Sequence, residues 1–153
     1  MPSTQKNCWT IENQAWNRIL GHTVAGYPKE VCGILLCPCE KPQHIARAHP
    51  TKNTTFEDPA RRYLIDPLEF LEVDNWAEQN EFDICGFYHS HPDHPCAPSE
   101  HDRELAWEGY LYLIVSVKGG VFDEGRAWTY DPDKNQFTEV IFQGKVEIDN
   151  TTA

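Results

Sequence analysis

Ile11, Ala15 and Ile19, with Trp16 and Leu20 beside them, recur at the spacing of one helix face, and Gly26-Tyr27-Pro28 stops the pattern. The spacing predicts a first helix. Val31 to Cys37 is a continuous apolar run bounded by Pro28 and Pro38, as a buried strand would be. Cys37 to Pro42 reads as a turn, Ile45 to His49 as a second strand and Pro50 to Pro59 as a polar loop. Asp66-Pro67-Leu68-Glu69 then carries the marks of a helix start: an Asp cap, Pro at the first helical position and Glu three residues after the cap. Leu68, Leu71, Trp76 and Ala77 are its expected inward face. Phe82 to Tyr88 reads as a strand, Pro92 to Pro98 as a proline-rich loop, and a third helix begins at Ser99. Three more strands follow, Tyr110 to Val117, Arg126 to Tyr130 and Phe137 to Phe142, with turns at Lys118-Gly119-Gly120 and Asp131-Pro132-Asp133. The tail from Gly144 is expected to be loose. Strands mixed with helices, with no repeat and no linker, predict one α/β domain over 1–153 built on a mixed sheet.

Composition narrows the partners. The 153 residues suit a single domain, and 24 acidic against 13 basic residues give a net charge of −11. A chain so acidic has no basic stripe for nucleic acid and is repelled by an anionic membrane. Its apolar runs are strand-length, well short of the ~20 residues that span a bilayer, and Met1 to Thr10 is too polar for an export signal. The expectation is a cytoplasmic protein whose six cysteines (8, 32, 37, 39, 85 and 96) stay reduced and pack as small apolar residues.

Four of the seven histidines fall between positions 89 and 101. His89 and His91, two apart at a strand end, share a face and can converge on one point. With Asp102 in the first turn of the next helix they make a three-ligand set, the pattern of a catalytic zinc site with a position left open. Ser99 has a plainer reading as that helix's cap. Cys37 and Cys39 with His44 and His49 would be a second metal set, but their spacing fits no standard zinc pattern. His94 and His101 are expected to be solvated or to support the site from outside. Cys96 reads as an inert loop thiol, and Trp107, beside Leu105 and Ala106, as core rather than substrate platform.

Glu30, then His89-Ser90-His91, seven residues, Ser99, two residues and Asp102, resembles the JAMM motif at every named position. That motif belongs to the MPN+ (Mov34/PAD-1-like) zinc metallopeptidases, whose relatives include deubiquitinases. Glu30 to Leu36, Arg62 to Pro67, Gly86 to Pro92 and Tyr112 to Val117 look like the compact prokaryotic branch, so the resemblance runs from about Ile11 to Phe142. It implies a three-layer α/β sandwich similar to that of cytidine deaminase. It implies one zinc ion per chain held by His89, His91 and Asp102, with Glu30 as proton shuttle and Ser99 donating to the oxyanion. It further implies hydrolysis of an amide bond at the C-terminal Gly-Gly of a ubiquitin-like or sulfur-carrier protein. The rival expectations are a catalytically silent MPN scaffold and a zinc deaminase of related fold, the latter lacking here its Cys-x-x-Cys.

Overall fold

A computed structural model of the chain describes residues 8–54 and 64–142. Eight strands form one sheet in the order β3-β1-β8-β7-β6-β5-β2-β4: β1 Cys8–Ile11, β2 Cys32–Pro38, β3 His44–Ile45, β4 Arg47–Thr51, β5 Phe82–Pro92, β6 Leu111–Lys118, β7 Val121–Asp131 and β8 Gln136–Phe142. The sheet is mixed. β5 runs parallel to β6, and β1 runs parallel to both β3 and β8, while the remaining pairs are antiparallel.

β2 and β6 are buried almost throughout because a helix covers each face of the sheet. Helix α1 (Asn13–Gly26) sets Ala15, Trp16 and Ile19 against Leu35, Tyr88, Leu113 and Val115. Helix α2 (Pro67–Gln79) sets Val73 and Ala77 against Ile34, Leu36 and Phe87 on the other side. The result is the expected helix–sheet–helix sandwich. A short helix, α3 (Glu100–Glu104), follows β5. Among the described residues no helix is long and apolar enough to cross a membrane.

Several expectations change. Ile11 belongs to a strand, not to the first helix: the short β1 gains its hydrogen bonds from β3 and β8, far away in sequence. The expected strand over 45–49 is split at Ala46, whose N–H turns to the carbonyl of Leu36. Asp66 does cap α2, its Oδ1 accepting from the N–H of Leu68 at 3.0 Å. Leu68 and Leu71, however, face outward at 70% and 52% exposure, because the inward arc runs through Phe70, Val73 and Ala77, spaced three and four apart. β5 continues past Tyr88 to Pro92, carried on by its parallel ladder with β6, so both histidines lie inside the strand. Trp107 is no core residue. It is 68% exposed, its backbone N–H donating to the hydroxyl of Tyr112 at 2.8 Å and its ring lying beside that of Tyr110.

The reduced state expected for all six cysteines also fails: Cys37 and Cys85 are disulfide-bonded. The antiparallel ladder pairs Leu36 with Ile84 and Leu35 with Gly86, so the bulge leaves Cys85 as the extra residue on β5. That places the two Cα atoms 5.9 Å apart, within disulfide reach. A sequence separation of 48 gave no sign of it. Pro50 and Thr51, expected in a polar loop, belong to β4, and residues 55–59 of that loop lie outside the described residues, as does the tail from Gly144.

Candidate metal centre

His89 and His91 continue the β5 face that begins with Phe87, while Ser90 points the other way. Ser90 Oγ accepts from the N–H of Val31 at 2.9 Å, and the Ser90 N–H donates to the Val31 carbonyl at 3.0 Å. These two bonds bind the mouth of β2 to β5 and fix Glu30 one residue away. The Glu30 carbonyl also accepts from Asn53 Nδ2 at 3.0 Å. From the far side α3 supplies Asp102 through a capping box. Ser99 Oγ accepts from the Asp102 N–H at 3.0 Å, and Asp102 Oδ2 accepts from the Ser99 N–H at 2.8 Å.

Three elements thus bring Glu30, His89, His91 and Asp102 together, with one ligand-type atom from each lying within 4.8 Å of the others. All four side chains are buried. The two Nε2 atoms are 3.2 Å apart; His89 Nε2 lies 3.2 Å from Asp102 Oδ1 and His91 Nε2 lies 3.1 Å from Asp102 Oδ2. His91 Nδ1 is 2.7 Å from the Pro95 carbonyl. A carbonyl only accepts, so Nδ1 carries a proton; in the neutral ring that a metal requires, the lone pair is therefore on Nε2, the nitrogen that faces His89 and Asp102. Zinc–nitrogen bonds of about 2.0–2.1 Å would set tetrahedral neighbours about 3.3 Å apart, close to the separations found. The donor set fits the metal.

Electrostatics point the same way. Burial drives the Glu30 carboxyl up to about 7; His89 and His91 pull it down and Asp102 pushes it up. Burial also works against the Asp102 carboxylate, but His89, a hydrogen bond from His91 and the Ser99 N–H outweigh it and hold the group well below the usual carboxylate range. For His89 burial disfavours the charged ring, yet Asp102 and Glu30 together raise its pKa above the ordinary value. Two buried carboxylates therefore compete for positive charge in one small space. A bound cation would supply it.

Ser99 opens onto a cleft of about 380 Å³ that it shares with Glu30, His91, His94, Pro95 and Ala97. Since its oxygen accepts from Asp102, its hydroxyl proton remains for a donation outward. The Cys37, Cys39, His44 and His49 set does not assemble. Cys37 is in the disulfide, His44 sits 2.6 Å from both Thr10 Oγ1 and Glu12 Oε2, and His49 faces Glu69 at 3.3 Å. Cys96 is buried, which lifts its thiol to about 11 and keeps it protonated, as an inert thiol should be. His94 is exposed on the cleft wall, and His101 is half-buried in α3. Sequence reasoning missed Ser90, Asn53 and the Pro95 carbonyl as supports. Only Ser90 left a trace: between two histidines on a strand it has to face the other way.

A family model described as prokaryotic homologs of the JAB domain matches residues 12–131. A desampylase of Haloferax volcanii is 38% identical over 127 residues, covering 80% of this chain and 88% of that protein. A desampylase of Pyrococcus furiosus is 30% identical over 146 residues, covering 92% and 96%. The crystal structure of a JAB1/MPN domain protein from Archaeoglobus fulgidus superposes with a TM-score of 0.56 over 88% of this chain and 97% of that one; at 17% identity it speaks for the fold alone.

Proposed function

The chain belongs to the family of prokaryotic JAB-domain proteins and is a JAMM-type hydrolase of the isopeptidase kind; from that premise we propose that it is zinc-dependent and cuts the amide bond after the C-terminal Gly-Gly of a ubiquitin-like or sulfur-carrier protein. The observation that carries this reading is the division of labour in the buried cluster. Two histidines and Asp102 stand 3.1–3.2 Å apart at ligand spacing, and beside them Glu30 is a buried carboxyl raised above its ordinary value in the zinc-free protein.

In this reading His89, His91 and Asp102 hold one zinc ion. When bound, zinc supplies Lewis acidity, polarising a carbonyl and making water acidic enough to react near pH 7. Glu30 accepts the proton that water gives up as it attacks, and returns one to the departing amine. Burial raises the Glu30 carboxyl in the zinc-free protein, which makes it a stronger base than an exposed carboxylate. Ser99 Oγ–H donates to the oxyanion that develops on the scissile carbonyl, from an oxygen already anchored by the Asp102 N–H.

An apolar groove of about 390 Å³, with Leu64, Phe70, Leu105 and Trp107 on its walls, also takes in Phe87, two residues before His89 on the same face of β5. An apolar wall near a polar centre favours a protein substrate over a small polar molecule. A flexible Gly-Gly end is slim enough to thread from that wall to the cluster as an added strand. The scaffold alternative gains no support from a donor set this complete, and the deaminase alternative none from a set without cysteine.

The test uses carrier proteins extended beyond Gly-Gly, incubated with the enzyme with and without a chelator. Cleavage should occur at the glycine, stop on chelation and return on adding zinc. Cleavage at an unchanged rate in the chelated sample would overturn zinc dependence, and cleavage elsewhere would overturn the assignment of the bond.

A further inference from the structure

The segment between His91 and Ser99 is neither helix nor strand past Pro92, yet its first residues are tied down one after another. The Asp93 N–H donates to the Val117 carbonyl at 2.7 Å. The His94 carbonyl accepts from Ser116 Oγ at 2.6 Å, the Pro95 carbonyl from His91 Nδ1 at 2.7 Å, and the Cys96 carbonyl from Trp128 Nε1 at 3.1 Å. Three consecutive carbonyls thus take donors from β6, β5 and β7 in turn. The middle one orients a proposed ligand, and the outer two fix the peptide planes on either side of it.

From this arrangement, and resting on the zinc reading above, we propose that Ser116 and Trp128 are positioning residues for His91: they hold the Pro95 carbonyl where it keeps the proton on Nδ1 and aims Nε2 at the metal. Ser116 lies directly beside His91 in the parallel ladder and is only 2% exposed, so water has little access to replace a deleted hydroxyl. Without that hydroxyl the His94 carbonyl is left short of its donor, and the loop turns to find one. Without the indole N–H the Cys96 carbonyl is released likewise. Either change loosens the Pro95 carbonyl, and with it the ring. The hydrogen-bond partner of a ligating histidine governs metal affinity by about 10–100-fold, and these two residues act on that partner.

The experiment compares Ser116→Ala, Ser116→Thr and Trp128→Phe with the wild type. Zinc dissociation constants come from competition with a chromogenic chelator, the thermal midpoint from zinc-free protein, and the protonated nitrogen of His91 from ¹⁵N NMR of the imidazole. Ser116→Ala and Trp128→Phe should each weaken zinc binding by about tenfold and reduce the Nδ1–H form of His91, while Ser116→Thr, which keeps a hydroxyl, stays near wild type. A role confined to loop stability would lower the zinc-free midpoint and leave both other readouts unmoved, and that result overturns the proposal. Trp128→Phe keeps an aromatic side chain without the N–H and decides alone if Ser116→Ala does not fold. A wild type that takes up no zinc refutes the zinc reading itself; a wild type that binds zinc beside variants of equal affinity refutes only the clamp.

Discussion

β2 and β5 are joined at both ends, by opposite means. Near the start of β2, two Val31–Ser90 hydrogen bonds hold Glu30 beside His89 and His91, and the groups gathered there oppose their own burial. Near its end the link is the Cys37–Cys85 disulfide, uncharged and packed in the main core. The first end carries the proposed chemistry and gathers buried groups of unbalanced charge; the second is held by a covalent bond packed in the core. One ladder thus keeps chemistry and reinforcement apart, and each can be broken without the other.

The largest effect should come from the reactive end. His89→Ala or Asp102→Ala should reduce zinc from about one ion per chain to a trace and abolish cleavage, because two donors are too few. Metal analysis after dialysis checks it. Glu30→Gln should hold zinc and substrate as the wild type does and lose about 10²–10⁴-fold in turnover, the contribution of a positioned proton carrier. Measuring zinc content, substrate affinity and rate on one preparation separates the two kinds of loss; near-normal turnover would remove Glu30 from the mechanism. Ser99→Ala should cost about 10²-fold in turnover as an oxyanion donor, together with ~1 kcal/mol of stability for the lost cap, read by kinetics and urea unfolding.

A smaller effect is a matter of protons. In the zinc-free protein Glu30 is raised from 4.5 to about 7 and His89 is raised from 6.5. Both bind protons more tightly folded than unfolded, so their contribution is full below the unfolded values and is lost as pH rises through the folded ones. Asp102, held low in the folded protein, acts in the opposite sense, its contribution being full above the ordinary carboxylate value of about 3.9 and lost progressively below it. The thermal midpoint of zinc-free protein should therefore fall between about pH 5 and 8, and Glu30→Gln should flatten that slope. The reinforced end should matter least to catalysis. Cys37→Ala with Cys85→Ala should cost about 2–4 kcal/mol in denaturant unfolding while zinc affinity and cleavage stay close to wild type. A large loss of zinc in that variant would show that the two ends are not separate.

The reactive end was legible in the sequence and the reinforced end was not. His89, His91, Ser99 and Asp102 stand within fourteen residues, and strand alternation plus a helix cap bring three of them to one point by local geometry. Glu30 is remote and was reached only through resemblance to a known motif. The disulfide depends on a bulge that pattern reading cannot locate, because β5 runs apolar on both sides of it. Hydrophobicity alone places Leu68, Leu71 and Trp107 inside, whereas the structure leaves them out where its helix arc and a tight turn face solvent. Short β1 was lost for a related reason: four residues carry too little pattern, and its partners lie more than thirty residues away.

The distance between Val31 and Ser90, 59 residues, bears on when the enzyme switches on as it folds. His89, His91 and Asp102 lie close along the chain and can meet early, whereas Glu30 joins them only once that long loop has closed and the sheet's central pair has zipped. A nascent chain can gather its three donors and still lack the acid that moves protons. The proposed proton carrier thus depends on a pairing that closeness along the chain does not supply, unlike the three proposed ligands.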